Sequence, residues 1–90
     1  MAEATSIEEE YLERIYRLEE AGNKRIKTTA LAEDLKISPA SVTEMISGPL
    51  SKKGLVDYKP YKGVKLTEKG RSIASSLIRK HRLAEKLLVD

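Results

Sequence analysis

Pro39, directly after Ser38, constrains this chain more than any other residue pair. Proline breaks a helix interior but suits the first helical position, where its missing N–H would be unpaired anyway, and serine is a favoured cap just before it. A helix therefore starts at Pro39 and carries Val42, Met45 and Ile46 on its apolar side. A short helix precedes it, opened by Thr28 or Thr29 and marked by Leu31, Ala32 and Leu35. Two short helices joined by the tight turn at Ile37-Ser38 make a helix-turn-helix, whose second helix can lie in a DNA major groove.

The flanking segments complete a pattern. Ser6 with Glu9 forms a capping box ahead of a first helix, where Ile7, Tyr11, Ile15 and Leu18 recur at helical spacing. That helix stops near Ala21-Gly22-Asn23, and residues 1–5 ahead of it read as a disordered tail. Leu55-Val56-Asp57-Tyr58 and Val64-Lys65-Leu66 favour strands, and Lys59-Pro60-Tyr61-Lys62-Gly63 between them has turn chemistry. Thr67 caps a last helix over 68–90, with Ile73, Leu77, Ala84 and Leu88 on its apolar face and His81 among them. The expected fold is mainly α with a small β-hairpin: a winged helix-turn-helix over residues 6–90. Its recognition helix covers about 39–47, its wing about 55–66, and a long C-terminal helix comes last.

Composition decides what such a fold can hold. With 90 residues and no Cys, Trp or Phe, the core must come from Leu, Ile, Val, Ala and Met. Disulfides, thiolate metal sites and thiol catalysis are excluded. No nucleophile–base pair or glycine-rich phosphate loop is present, so an enzyme is not expected. No apolar run approaches the roughly 18 residues of a membrane span and no leader is visible, which reads as cytoplasmic with no membrane partner. The net charge of +3 is unevenly spread: residues 1–50 sum to −4 and residues 51–90 to +7. Clustered cations can face a polyanion, or simply form a solvated surface.

The ordered strings Glu10-Tyr11-Leu12-Glu13-Arg14-Ile15-Tyr16, Leu31-Ala32-Glu33-Asp34-Leu35 and Ser38-Pro39-Ala40-Ser41-Val42-Thr43-Glu44-Met45 point to one family. So do Lys53-Gly54-Leu55-Val56, Leu66-Thr67-Glu68-Lys69-Gly70 and Arg79 to Leu88. Together they resemble the DNA-binding half of the diphtheria-toxin-repressor family of iron- and manganese-dependent regulators. The resemblance runs from about Ser6 to Asp90. It implies a repressor of metal-homeostasis genes, activated by a divalent metal (Mn²⁺ or Fe²⁺), that binds a palindromic double-stranded operator as a homodimer.

The resemblance assigns metal-ligand positions to Glu10 and Glu13 on the first helix and to His81 and Glu85 on the last. Each pair shares a helix face by spacing, and carboxylates with one imidazole suit Mn²⁺ or Fe²⁺. Glutamate at position 10 sides with the all-oxygen, manganese-type choice. Taken without the resemblance, these glutamates read equally as partners of the helix dipole, and His81 as a packed side chain. The surface expected to meet DNA comprises Ser38, Pro39, Ala40, Ser41 and Thr43 of the recognition helix. Arg25, Lys27, Thr28 and Thr29 grip phosphates ahead of the motif, as Tyr61 and Lys62 do from the wing. Winged-helix DNA binding without metal, and a winged helix used as a protein-interaction module, stay open alternatives.

Two departures from the family pattern stand out. From Val42 to Gly54 the chain is one residue longer, and the extra residue falls in Ser47-Gly48-Pro49. Glycine and proline there predict that the recognition helix ends or kinks near Ser47, with Leu50 to Lys53 as a separate turn. The chain also reaches only Asp90, whereas family members continue into dimerisation helices that carry further ligands. The homodimer contact and a complete metal site are thus expected from a region C-terminal to this chain.

Overall fold

Two Ser/Thr-x-x-Glu frames overlap at the N-terminus, and the earlier one forms the cap. In the computed structural model, which describes residues 4–89 and side chains through Lys80, Thr5 rather than Ser6 caps helix α1 (Ser6–Glu20). The Glu8 N–H donates to Thr5 Oγ1 (3.2 Å), and the Thr5 N–H donates to Glu8 Oε1 (3.0 Å). The expected tail therefore becomes ordered earlier than residue 6: Ala4 is buried and Thr5 is the cap. The α1 face shifts with it. Tyr11, Leu12 and Ile15 are buried as a stripe, while Ile7 is 60% exposed and Glu8 takes an inward place.

A buried carboxylate needs a partner. Glu8 receives one from Lys53, whose Nζ lies 2.6 Å from Glu8 Oε1. Burial alone would raise the Glu8 carboxyl. The Lys53 hydrogen bond, the Thr5 N–H and the Lys53 charge outweigh it and hold the carboxyl below its ordinary value of 4.5. A lowered folded-state value means that this group contributes its full stabilisation above the ordinary value. That contribution is lost as pH falls through the lowered one. Urea midpoints measured from neutral pH downward are expected to drop below about pH 4.5. In Glu8→Gln the drop should be shallower, from a less stable neutral state; equal slopes would rule out this role.

Helix α2 (Thr28–Leu35) buries Leu31 and Ala32 and ends at Lys36, which adopts the left-handed conformation (φ 62°). Helix α3 (Pro39–Met45) starts as expected: Ser38 Oγ accepts from the Ser41 N–H at 3.2 Å and Pro39 opens the first turn. The regular α-helix ends at Met45, within two residues of the break expected near Ser47, but the helical path does not stop there, which corrects the expectation of a separate turn. It continues as a π-turn (Ile46–Leu50) containing Gly48 and Pro49. A π-turn accommodates one residue more than an α-turn, so it has room for the extra residue expected in Ser47-Gly48-Pro49 while the path stays helical. Ile46 and Leu50 are both fully buried, as is Val42 one turn earlier. Two hydroxyls serve carbonyls along this stretch: Ser47 Oγ donates to the Thr43 carbonyl and Ser51 Oγ to the Ile46 carbonyl, each at 2.7 Å.

Strands β1 (Val56–Lys59) and β2 (Gly63–Leu66) form an antiparallel hairpin with Val56 opposite Leu66 and Lys59 opposite Gly63. The Lys62 N–H donates to the Lys59 carbonyl across the turn. Pro60 occupies the second turn position and Tyr61 the third, with φ 70° where glycine or asparagine is usual. Ile26, in the loop before α2, adds a bridge to Val64 through two 2.8 Å backbone hydrogen bonds. Helix α4 (Glu68–Val89) is capped by Thr67, whose Oγ1 accepts from the Gly70 N–H. Among its described residues Ala74 and Ile78 are the buried side chains, while the expected Ile73 and Leu77 are half-buried at its flanks; the side chains of the expected Ala84 and Leu88 lie outside the described residues. Leu12, Leu31, Leu50, Leu55 and Val64 are completely enclosed at the centre. Burial contributes roughly 1.5–3 kcal/mol for each such side chain.

The start of α4 meets the end of α1, where Arg71 pairs with Glu19 at 2.5 Å. The Leu66 N–H also donates to Glu19 Oε2 at 2.7 Å. Tyr16 and Glu20 share a hollow with Ser75, Ile78 and Arg79, so α4 runs back along α1. Among the described residues, no helix is long and apolar enough to cross a membrane.

Candidate nucleic-acid interface

The loop before α2 and the wing are built as one unit. Arg25 lies between them with its side chain only 19% exposed. Its Nη2 pairs with Asp57 Oδ2 at 2.9 Å, and its Nη1 donates to the Asp57 carbonyl (3.2 Å) and the Gly63 carbonyl (3.0 Å). Gly63 has φ 112°, and an added Cβ would stand 2.6 Å from the Ile26 carbonyl oxygen. Glycine is thus required where the wing closes on this loop. Arg25, expected on phosphates, is instead committed to the wing through a carboxylate and two carbonyls.

That anchoring brings several expected phosphate contacts together. Lys27, Thr28 and Thr29 at the start of α2 line a shallow hollow of about 180 Å³ with Tyr58, Tyr61 and Gly63 of the wing. The cap position of α2 is Lys27, which makes no side-chain capping bond. Neither threonine hydroxyl is therefore spent at the cap position, and the first-turn N–H groups of α2 lack a side-chain cap. Such N–H groups, with a lysine beside them, suit an anion. Tyr61 is 97% exposed at the wing tip and Lys62 beside it is exposed. Tyr58 joins the hollow although its sequence context marks it only as a strand residue. Its half-buried place on a basic wing is the signal that points to it.

On α3, Ser38, Pro39, Ala40 and Ser41 are exposed and Thr43 is half-buried. Ser38 Oγ, besides capping, lies 3.0 Å from Ser41 Oγ, to which it donates. These residues present a face of small side chains, as the sequence suggests.

The expected metal ligands are brought together in part. Glu10 and Glu13 line one hollow on α1 with Arg14 and Arg17. Arg14 is drawn toward α2 by Asp34, 3.2 Å away. The two carboxylates supply the oxygen donors that a hard divalent cation takes, so this half of the set fits Mn²⁺ or Fe²⁺ in donor chemistry. The side chains of His81 and Glu85 lie outside the described residues. Among the described residues no group of three or more potential ligands converges.

Residues 3–64 match the family described as iron dependent repressor, N-terminal DNA binding domain. The chain is 45% identical over 82 residues to an uncharacterised HTH-type transcriptional regulator of Methanocaldococcus jannaschii, covering 91% of this chain and 65% of that protein. It is 41% identical to the iron-dependent repressor IdeR of Mycobacterium tuberculosis, covering all of this chain and 38% of IdeR. The crystal structure of ScaR with bound Zn²⁺ superposes with a TM-score of 0.75 at 37% identity, over 90% of this chain and 36% of that one. The chain thus spans less than two thirds of each of these proteins. Its winged helix-turn-helix is the fold of their N-terminal portion, and the family consists of transcriptional repressors rather than enzymes. The chain belongs to the iron-dependent repressor family, that of the diphtheria toxin repressor, and carries the family's N-terminal DNA-binding domain.

Proposed function

We propose that this protein represses transcription in the cytoplasm by binding a palindromic operator as a homodimer, and that Mn²⁺ or Fe²⁺ strengthens the binding. The observation that carries the DNA reading is the hollow joining Lys27, Thr28 and Thr29 of α2 to Tyr58 and Tyr61 of the wing. Helix α3 enters the major groove with Ser38, Pro39, Ala40, Ser41 and Thr43 toward the bases. Lys27, Thr28, Thr29, Tyr61 and Lys62 hold the flanking phosphates, which fixes orientation without carrying sequence information. Arg25 works one step back by setting the angle of the wing.

For the metal, Glu10 and Glu13 supply one half of the ligand set and His81 and Glu85 the other. Continuing along α4 from Arg71 on Glu19, through Ile78 beside Tyr16, leads the helix toward the Glu13 and Glu10 end of α1. A bound divalent cation would supply positive charge between the two helices. Without it, Glu10 and Glu13 repel each other across one helical turn.

The test measures affinity for palindromic duplexes across a salt series, with Mn²⁺, with Fe²⁺ under anaerobic conditions, and with chelator, in the intact protein. Log affinity is expected to fall linearly with log salt, by about 0.9 per phosphate contact. Either metal should tighten binding, and His81→Ala or Glu10→Gln should abolish that response while the fold persists. Affinity indifferent to metal and chelator would leave a metal-independent DNA binder. Absence of duplex binding would leave a protein-interaction module.

A further inference from the structure

The exposed face of α3 and of the turn after it consists of Pro39, Ala40, Ser41, Glu44 and Ser47. Pro39 and Ala40 have no polar side-chain atom. The Ser38 and Ser41 hydroxyls bond to each other, and Ser47 Oγ is bound to the Thr43 carbonyl. Glu44 differs from all of them. It is exposed, one helical turn beyond Ala40, and its carboxylate has no hydrogen-bond or ion-pair partner among the described residues. The Glu8, Glu19, Asp34 and Asp57 carboxylates are each taken up by a Lys or Arg side chain.

A lone carboxylate on a face meant for DNA is repelled by phosphates, so its place there calls for another partner. In the major groove, guanine presents the acceptors N7 and O6 and thymine the acceptor O4, all of which repel a carboxylate. Adenine sets its amino group between two acceptors, its own N7 and the O4 of the paired thymine, whereas the cytosine N4 amino donor is flanked on one side only, by the O6 of its paired guanine. We infer that Glu44 is a base-reading side chain of this protein, accepting a hydrogen bond from a cytosine N4 amino group in each half-site. This rests on α3 entering the groove as proposed above. The inference adds a selective acceptor to a helix whose other exposed side chains are small or already hydrogen-bonded. It also gives the acidic residue a second effect, since its charge weakens attachment to sequences lacking that cytosine.

The test is selection of bound duplexes from a randomised library by the protein, Glu44→Ala and Glu44→Gln. The thermal midpoints should coincide, because the Glu44 carboxylate is exposed and unpaired. The wild type should enrich a cytosine at one position per half-site, with about 10-fold weaker binding when that base is changed. Glu44→Ala should lose preference at that position alone and bind unrelated duplexes more tightly. Glu44→Gln should move the preference toward adenine, whose N6 and N7 a carboxamide matches. If Glu44→Ala retains the wild-type preference at every position, this inference is overturned while operator binding stands. If the wild type retains no duplex at low salt, operator binding and this inference fall together.

Discussion

Replacing Gly70 by alanine is expected to cost this domain about 3 kcal/mol or more, at or beyond the upper end for an overpacked core site. A Cβ at position 70 would stand 2.1 Å from the Leu55 carbonyl oxygen and 3.3 Å from Leu66 Cδ2. The carbonyl cannot retreat cheaply. It accepts from the Thr67 N–H at 3.1 Å, and the neighbouring Gly54 carbonyl accepts from Thr67 Oγ1 at 2.7 Å. The same threonine caps α4, so relieving the contact disturbs the wing base and the long helix together. For a domain of this size each kcal/mol moves the thermal midpoint by about 4–8 °C. Calorimetry should therefore show a fall of at least about 12 °C. Gly48→Ala is the matched control, because its added Cβ meets nothing within 4 Å. Alanine there should be neutral or slightly stabilising. A Gly70→Ala protein that melts with the wild type would mean that α4 and the wing base are not closed as described.

The second large effect concerns Arg25, where two readings give different salt dependence. A cation on a phosphate contributes about 0.9 to the slope of log affinity against log salt, and its removal lowers that slope. A guanidinium committed to Asp57 and to the Asp57 and Gly63 carbonyls contributes no such slope. Arg25→Ala is therefore expected to weaken duplex binding by about 10-fold or more with the salt slope unchanged, because the wing loses its anchor. It should also cost about 1.5–3 kcal/mol of stability, the usual range for hydrogen bonds to a charged group. The half-exposed Asp57 places the value toward the lower end. Lys27→Ala should do the reverse, lowering the slope by about 0.9 with little change in melting. A reduced slope in Arg25→Ala would return that residue to the phosphate backbone.

The contrast between these residues shows which features are legible in a sequence. Ser38-Pro39 marks a helix start because the cap and the missing N–H act within four residues of chain. The wing turn is legible for the same local reason: Pro60 sets its own φ, and Gly63 tolerates a positive one. Arg25 is misread because its partners lie 32 and 38 positions away. Nothing in a run of basic residues says which cation has been claimed. The expected N-terminal cap errs by one residue because Thr5 with Glu8 and Ser6 with Glu9 satisfy one pattern equally. The choice is settled by Lys53, 45 positions on, and by the burial of Ala4. Glycine and proline at 48 and 49 read as a stop because propensity counts only their local cost. The buried side chains of Ile46 and Leu50 outweigh it. The candidate interface is legible in its residues, but its assembly around one hollow is not, since that depends on Ile26 bridging Val64. Glu44 escapes notice in the sequence because a carboxylate argues against DNA until its face and lack of a partner are known.

The π-turn also makes the two ends of its helical path separately exchangeable. Residues 39–45 present the small exposed side chains, whereas Leu50, Lys53 and Leu55 serve the core and the Glu8 pair. The widened turn between them takes up a difference of one residue in length. A relative's reading helix could therefore be grafted onto residues 39–45 while Ser51 and the wing keep their spacing.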